Sequence, residues 1–121
     1  MKVVNMGTQK HTKILVLDDP HPANGANHGY AIIDANDPLD HGPRFAAMAF
    51  QNGPVKEAGV NGCHNEDMLY IVLHRLEAFQ AGKFACMENA MAIMKIKDAL
   101  QWLNSRTRKR ESRGVEGTNA L

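Results

Sequence analysis

The sequence predicts an α+β protein, a short N-terminal antiparallel β region followed by a long two-helix antiparallel hairpin. Three observations carry that prediction. All five prolines and seven of the ten glycines fall within residues 1–62, among short runs rich in Ile, Val and Tyr. Residues 64–113 contain no proline and repeat apolar side chains every three or four positions, the period of one helix face. A chain of 121 residues holds one small domain, or one with an appendage. The organisation expected is a β-rich region at 1–62 and a hairpin at 63–121, folded as one compact unit.

The β half divides at its turn chemistry. Residues 13–17 (KILVL) and 29–34 (GYAIID) are apolar and β-branched, hence strands. Between them DDPHPANGANH carries Asp-Pro and Asn-Gly signals and reads as a loop. Residues 44–51 (RFAAMAFQ) are ambiguous in composition, because Ala and Met favour helices. Gly42-Pro43 before and Asn52-Gly53-Pro54 after leave too little length for one, so a third strand is expected. The stretch NGPVKEAGVNG (52–62) fits no phosphate-loop pattern and reads as two turns leading into the first helix.

In the helical half, Asn65 is the expected cap, with Glu66 and Asp67 in the first turn where the helix dipole favours anions. Leu69, Val72 or Leu73, Leu76 and Phe79 or Gln80 line one face, and Gly82 stands where a left-handed residue would end the helix. A second helix starts near Cys86. Its stripe runs through Ala90, Ile93, Ile96 or Lys97, Leu100 and Leu103, with Met91, Met94 and Trp102 flanking, and Gly114 closes it. A short link makes the two helices antiparallel neighbours. The flanking apolar residues need a cover. The β region or other copies of the chain can supply it, and a chain this small has a thin stability margin alone.

Composition removes several functions. The net charge is +1, with 14 cations against 13 acids. Two cysteines make neither a disulfide framework nor a paired zinc site, so Cys63 and Cys86 read as apolar fillers of a reduced protein. Six histidines, at 11, 21, 28, 41, 64 and 74, show no metal-ligand spacing and read as solvated loop residues; no metal and no cofactor is expected. No nucleophile motif or phosphate loop appears, so no catalytic residue is expected. The start of the chain lacks a leader-like apolar core and no run is long enough for a membrane span, so a soluble cytoplasmic protein without a membrane partner is expected.

The balanced charge conceals a focus. Residues 106–113 (RTRKRESR) hold five cations and one acid, net +4, while the rest of the chain is net −3. On a helix Arg106, Arg110 and Arg113 share one ridge, with Trp102 a turn earlier. Arginines so placed can bind phosphate and stack on a base, or simply complement the helix dipole in solvent; spacing alone leaves both open. Geometry adds a condition. Asn89 and Arg106 are seventeen residues apart on one helix, roughly 25 Å at ~1.5 Å per residue. One small ligand therefore cannot touch the hairpin tip and the basic end of the same copy. A second hairpin packed antiparallel would bring the tip of one to the basic end of the other.

The ordered set FQNGP (50–54), FQAG (79–82), ENA (88–90), RTRKR (106–110) and GVEGT (114–118) is specific in combination. Through it the chain resembles the phage Thoeris anti-defence signal-sponge family, which shares a helical hairpin domain with the anti-CBASS cyclic-nucleotide sponge. The matching segments are 50–62, 65–93 and 98–119; residues 1–43 match only in character.

The resemblance implies sequestration without catalysis, in the cytoplasm of the host bacterium. The ligand implied is the cyclic ADP-ribose isomer made by bacterial TIR enzymes (glycocyclic ADP-ribose), with cyclic di- and trinucleotides as further ligands. It implies homo-oligomers with dimer-interface sites, in hexamers arranged as three dimers. By motif, the family's ligand residues fall on Phe79, Asn89, Arg106 and Arg110, with Lys56 the nearest candidate for a further cation and Gly117 and Thr118 as weaker additions. Phe79 would then stack on adenine with Arg106 closing the opposite face, Arg110 would hold the diphosphate, and Asn89 would give a directional hydrogen bond. The rival reading is a small oligomeric nucleic-acid-binding phage protein using RTRKR on phosphates. It predicts salt-steep binding, and the few aromatics, seven in all, offer poor platforms for a long strand, so no nucleic-acid partner is expected.

Overall fold

Four strands, β1 (Lys2–Val4), β2 (Thr12–Val16), β3 (Gly29–Asp34) and β4 (Arg44–Ala49), form an antiparallel meander in sequence order. The structure is a computed structural model that describes residues 2–4, 10–19, 25–37, 42–115 and 117–118. The register Leu15↔Ala31 places Leu15, Ala31 and Ile33 on one face, and all three are essentially inaccessible to solvent. This is the tight core of the sheet. Between β3 and β4 the pairing steps from Ile32↔Ala46 to Ile33↔Arg44, a bulge that leaves Phe45 as the extra residue and 62% exposed.

The ambiguous RFAAMA segment is a strand, as its flanking turns require. It ends at Ala49, two residues earlier than expected. Phe50 instead forms an isolated parallel bridge with Cys63, where Gln51 N–H donates to Cys63 O (2.8 Å) and Cys63 N–H to Ala49 O (2.8 Å). The returning chain passes so close that a Cβ on Gly62 would lie 2.5 Å from the Phe50 carbonyl carbon. β1 was not anticipated, and within the expected pair of turns the chain makes a single helical turn, α1 (Val55–Ala58), stopped by Gly59 at φ +75°.

The chain divides into two compact units, residues 1–63 and 64–121. The second consists of α2 (Asn65–Gln80), α3 (Met87–Ser112) and the segment after them. The cap of α2 is His64 rather than Asn65. The Asp67 carboxylate accepts the His64 N–H (2.8 Å), so the reciprocal contact forms one residue before Asn65, which is already helical. Gly82 is not left-handed. Ala81 stays right-handed, and Gly82 N–H bonds Phe79 O (3.2 Å), so α2 ends by tightening rather than reversing.

α3 starts and stops as expected. The Cys86 thiol accepts the Asn89 N–H (3.4 Å), and Gly114 at φ +73° closes a Schellman motif. In it Val115 N–H donates to Arg110 O and Gly114 N–H to Glu111 O, both at 3.0 Å. Asn104 Nδ2 donates to Tyr70 Oη (3.2 Å) and ties the two helices together. Only Leu73 and Leu100 are buried among the described residues of this unit. No helix among the described residues is long and apolar enough to cross a membrane.

Candidate functional site

The residues singled out by sequence fall in three places, two of them at opposite ends of the hairpin. α3 runs unbroken from Met87 to Ser112, so the ~25 Å between Asn89 and Arg106 is a rigid separation.

At the tip, Phe79 and Asn89 come together around the connecting turn. The Phe79 and Phe84 rings meet edge to face, centroids 6.1 Å apart. The Arg75 guanidinium lies 5.0 Å from the Phe79 centroid, and Lys83 Nζ lies 5.3 Å from that of Phe84. Asn89 Nδ2 reaches Phe84 O (3.4 Å), and Gln80 Oε1 accepts the Cys86 N–H (2.9 Å). The turn is thus held by amides from both helices, and two aromatic rings are flanked by two cations. Phe84, Arg75 and Lys83 were missed by sequence reasoning. Arg75 precedes Phe79 by four residues on α2, a spacing that places both on one face and marks it as a partner.

At the basic end, Trp102, Ser105, Arg106, Lys109, Arg110 and Arg113 line an open concavity of about 460 Å³. These positions recur at three and four residues, so one face of α3, continued by its cap residue Arg113, forms the whole lining. Trp102 is 75% exposed, an indole presented to solvent beside four cations. Arg110 Nη2 donates to the carbonyls of Val115 (3.1 Å) and Thr118 (2.9 Å). Gly117, at φ +77°, shapes that turn, and Thr118 N–H bonds Val115 O (3.1 Å). The GVEGT loop therefore meets Arg110 with carbonyl oxygens, and the Thr118 N–H is already used within the turn.

The third place belongs to the first unit. Lys56 is exposed on α1, within a loop that holds itself rigid. Gln51 Nε2 donates to the carbonyls of Gly53 (3.1 Å) and Gly59 (2.7 Å), while its Oε1 accepts the Asn61 N–H (3.0 Å). Asn61 in turn brackets Asn52, accepting its N–H (2.8 Å) and donating to its carbonyl (2.7 Å). The FQNGP and VNG motifs are spent on loop architecture. Of the six histidines, His21 and His41 lie outside the described residues; among the described residues no group of His, Cys, Asp or Glu is placed to hold a metal ion.

Two comparisons bear on this arrangement. The profile of the Acb2/Tad1 hairpin domain matches residues 43–108, from the last strand through both helices to the first arginines of the basic end. The chain is also 40% identical over 129 aligned positions to Thoeris anti-defense 1 of Bacillus phage SBSphiJ7, covering 91% of each. The chain belongs to the Acb2/Tad1 hairpin family. Its membership embraces the rigid loop, the aromatic tip and Arg106, while the match to the phage relative takes in almost the full chain.

Proposed function

We propose that this chain is a phage anti-defence sponge that binds and sequesters TIR-derived cyclic ADP-ribose isomers without cleaving them. It acts in the cytoplasm of the infected bacterium and blocks Thoeris signalling; cyclic di- and trinucleotides are further ligands of the same class, and CBASS signalling a further target. The observation that carries this reading is the separation of two half-sites on one rigid helix, in a chain belonging to the Acb2/Tad1 family. The tip offers aromatic faces and an amide for a base. The basic end offers guanidinium groups for a diphosphate. Neither half alone suits a molecule that has both parts.

Two hairpins packed antiparallel complete each other, the tip of one copy supplying Phe79 and Asn89 to the Arg106 and Arg110 of its partner. The hairpin leaves Tyr70, Ile71, Val72, Met91 and Met94 exposed, apolar surface that favours burial against further copies. The resemblance extends this to a hexamer of three dimers. Lys56 is the candidate for a further cation, and Gly117 and Thr118 are weaker additions at the basic end.

Sequestration makes a chemical prediction. The purified protein incubated with glycocyclic ADP-ribose, then denatured by heat, is expected to release the ligand unchanged by chromatography. Recovery of linear ADP-ribose or another hydrolysis product would replace the sponge with an enzyme. A parallel titration with DNA and RNA separates the rival: tight, salt-steep binding of long strands would favour it.

A further inference from the structure

We infer that the turn after α3, through its described residues 113–115 and 117–118, is a positioning device for Arg110, a carbonyl clamp that fixes the guanidinium before ligand arrives. The inference rests on the proposed sponge function for its purpose, though not for its geometry. Arg110 Nη2 carries two N–H groups and meets two acceptors, Val115 O at 3.1 Å and Thr118 O at 2.9 Å. Both acceptors depend on left-handed backbone. Gly114 (φ +73°) turns the chain back so that Val115 lies against the end of α3, and Gly117 (φ +77°) turns it again before Thr118. The turn is locked internally, because the N–H and Oγ1 of Thr118 both donate to Val115 O, which also receives the guanidinium.

The consequence is chemical. An arginine binds phosphate or carboxylate bidentately through one of two edges, Nε with Nη2 or Nη1 with Nη2. Each edge includes Nη2, and in this chain Nη2 is occupied by backbone carbonyls. While the clamp holds, Arg110 therefore lacks an intact two-point edge for an anion, and its rotation about the side chain is already restrained. The ordering of a long flexible side chain, normally charged against binding, is met in the free protein. Gly117 and Thr118 thereby act through Arg110.

Two readouts test the clamp. In the ligand-free protein, nitrogen-15 NMR is expected to show slow rotation of the Arg110 guanidinium, and Gly117→Ala or Gly114→Ala to release it. An alanine Cβ at Gly114 meets nothing within 4 Å, so the strained φ alone acts there and the helix is retained by circular dichroism. In binding, Gly117→Ala is expected to weaken affinity for glycocyclic ADP-ribose roughly 5- to 30-fold, the range set by one strained left-handed residue. In an Arg110→Lys background, which keeps the charge but loses the forked contact to both carbonyls, the same change is expected to have no further effect. Fast guanidinium rotation in the unaltered protein, or an equal loss from Gly117→Ala in both backgrounds, overturns the clamp. Slow rotation together with no binding of glycocyclic ADP-ribose by the unaltered protein would retain the clamp and remove the proposed function instead.

Discussion

The sheet and the hairpin solve the problem of burial differently. In the sheet, three residues on one face (Leu15, Ala31 and Ile33) are sealed to 1% exposure or less, and short paired strands hold them there. The hairpin is built from longer elements, yet its only buried side chains among the described residues are Leu73 at 8% and Leu100 at 4%. It exposes Met94 by 56% and Trp102 by 75%. A two-helix hairpin has one partner face per helix, so residues on any other face stay outside. The contrast teaches that the sheet supplies fixed geometry, while the hairpin carries exposed apolar surface that the proposed oligomer covers. Its two half-sites share that incompleteness.

The sharpest way to break the comparison is to ask whether one hairpin can bind alone. Phe79→Ala and Arg110→Ala are each expected to abolish binding of glycocyclic ADP-ribose while leaving the oligomer intact by sedimentation. When the two variants are unfolded together and refolded as a mixture, binding is expected to return. A mixed dimer pairs the unaltered tip of one copy with the unaltered basic end of the other and so rebuilds one site. A mixture as inactive as its parts would place the whole site within one copy and remove the argument from helix length.

A smaller effect separates the two units by stability. If copies cover the hairpin, its amides gain protection from hydrogen exchange as protein concentration rises, by up to about 2.7 kcal/mol for an about hundredfold excess over the dissociation constant. Opening within the sheet alone, at β2 and β3, is expected to stay independent of concentration. Leu15→Ala removes a fully buried side chain and is expected to cost about 2–5 kcal/mol in chemical denaturation. Uniform concentration dependence across both units would mean that they unfold as one, and none in either would mean that the hairpin stands alone.

Much of this was legible in the sequence, and the exceptions have physical causes. The three longer strands and both long helices follow from turn residues and periodicity. β1 is three residues long, too short to display an alternating pattern. α1 is one turn enclosed by glycines, so local signals favour turns and only the Gln51–Asn61 amide network reveals its setting. At the site, motif residues pointed to both ends of the hairpin. Arg75 and Phe84 escaped because their role depends on ring geometry at the turn. The carbonyl clamp escaped because it depends on two backbone dihedrals that no side-chain pattern announces.

The smallest expected effect belongs to the sheet alone. The Asp18 carboxylate accepts the N–H groups of Gly29 (3.0 Å) and His28 (2.9 Å), and Asn27 Nδ2 donates to its backbone carbonyl (2.8 Å). The Gly29 bond first, then that of His28, stabilise the charged form and hold this carboxyl below the usual aspartate value. A folded-state pKa below the unfolded one stabilises the fold wherever the unfolded group is ionised, above roughly pH 4, and that contribution is lost as pH falls through the folded value. Asp18 is only half-buried, so water screens the effect and it is expected to be slight. Asp18→Asn should lower the thermal midpoint a little at neutral pH and converge with the unaltered protein in acid. Hydrogen exchange should place the change at His28 and Gly29, where β3 begins, and leave the hairpin amides untouched; a change spreading into α2 or α3 would couple the two units more tightly than their separate cores suggest.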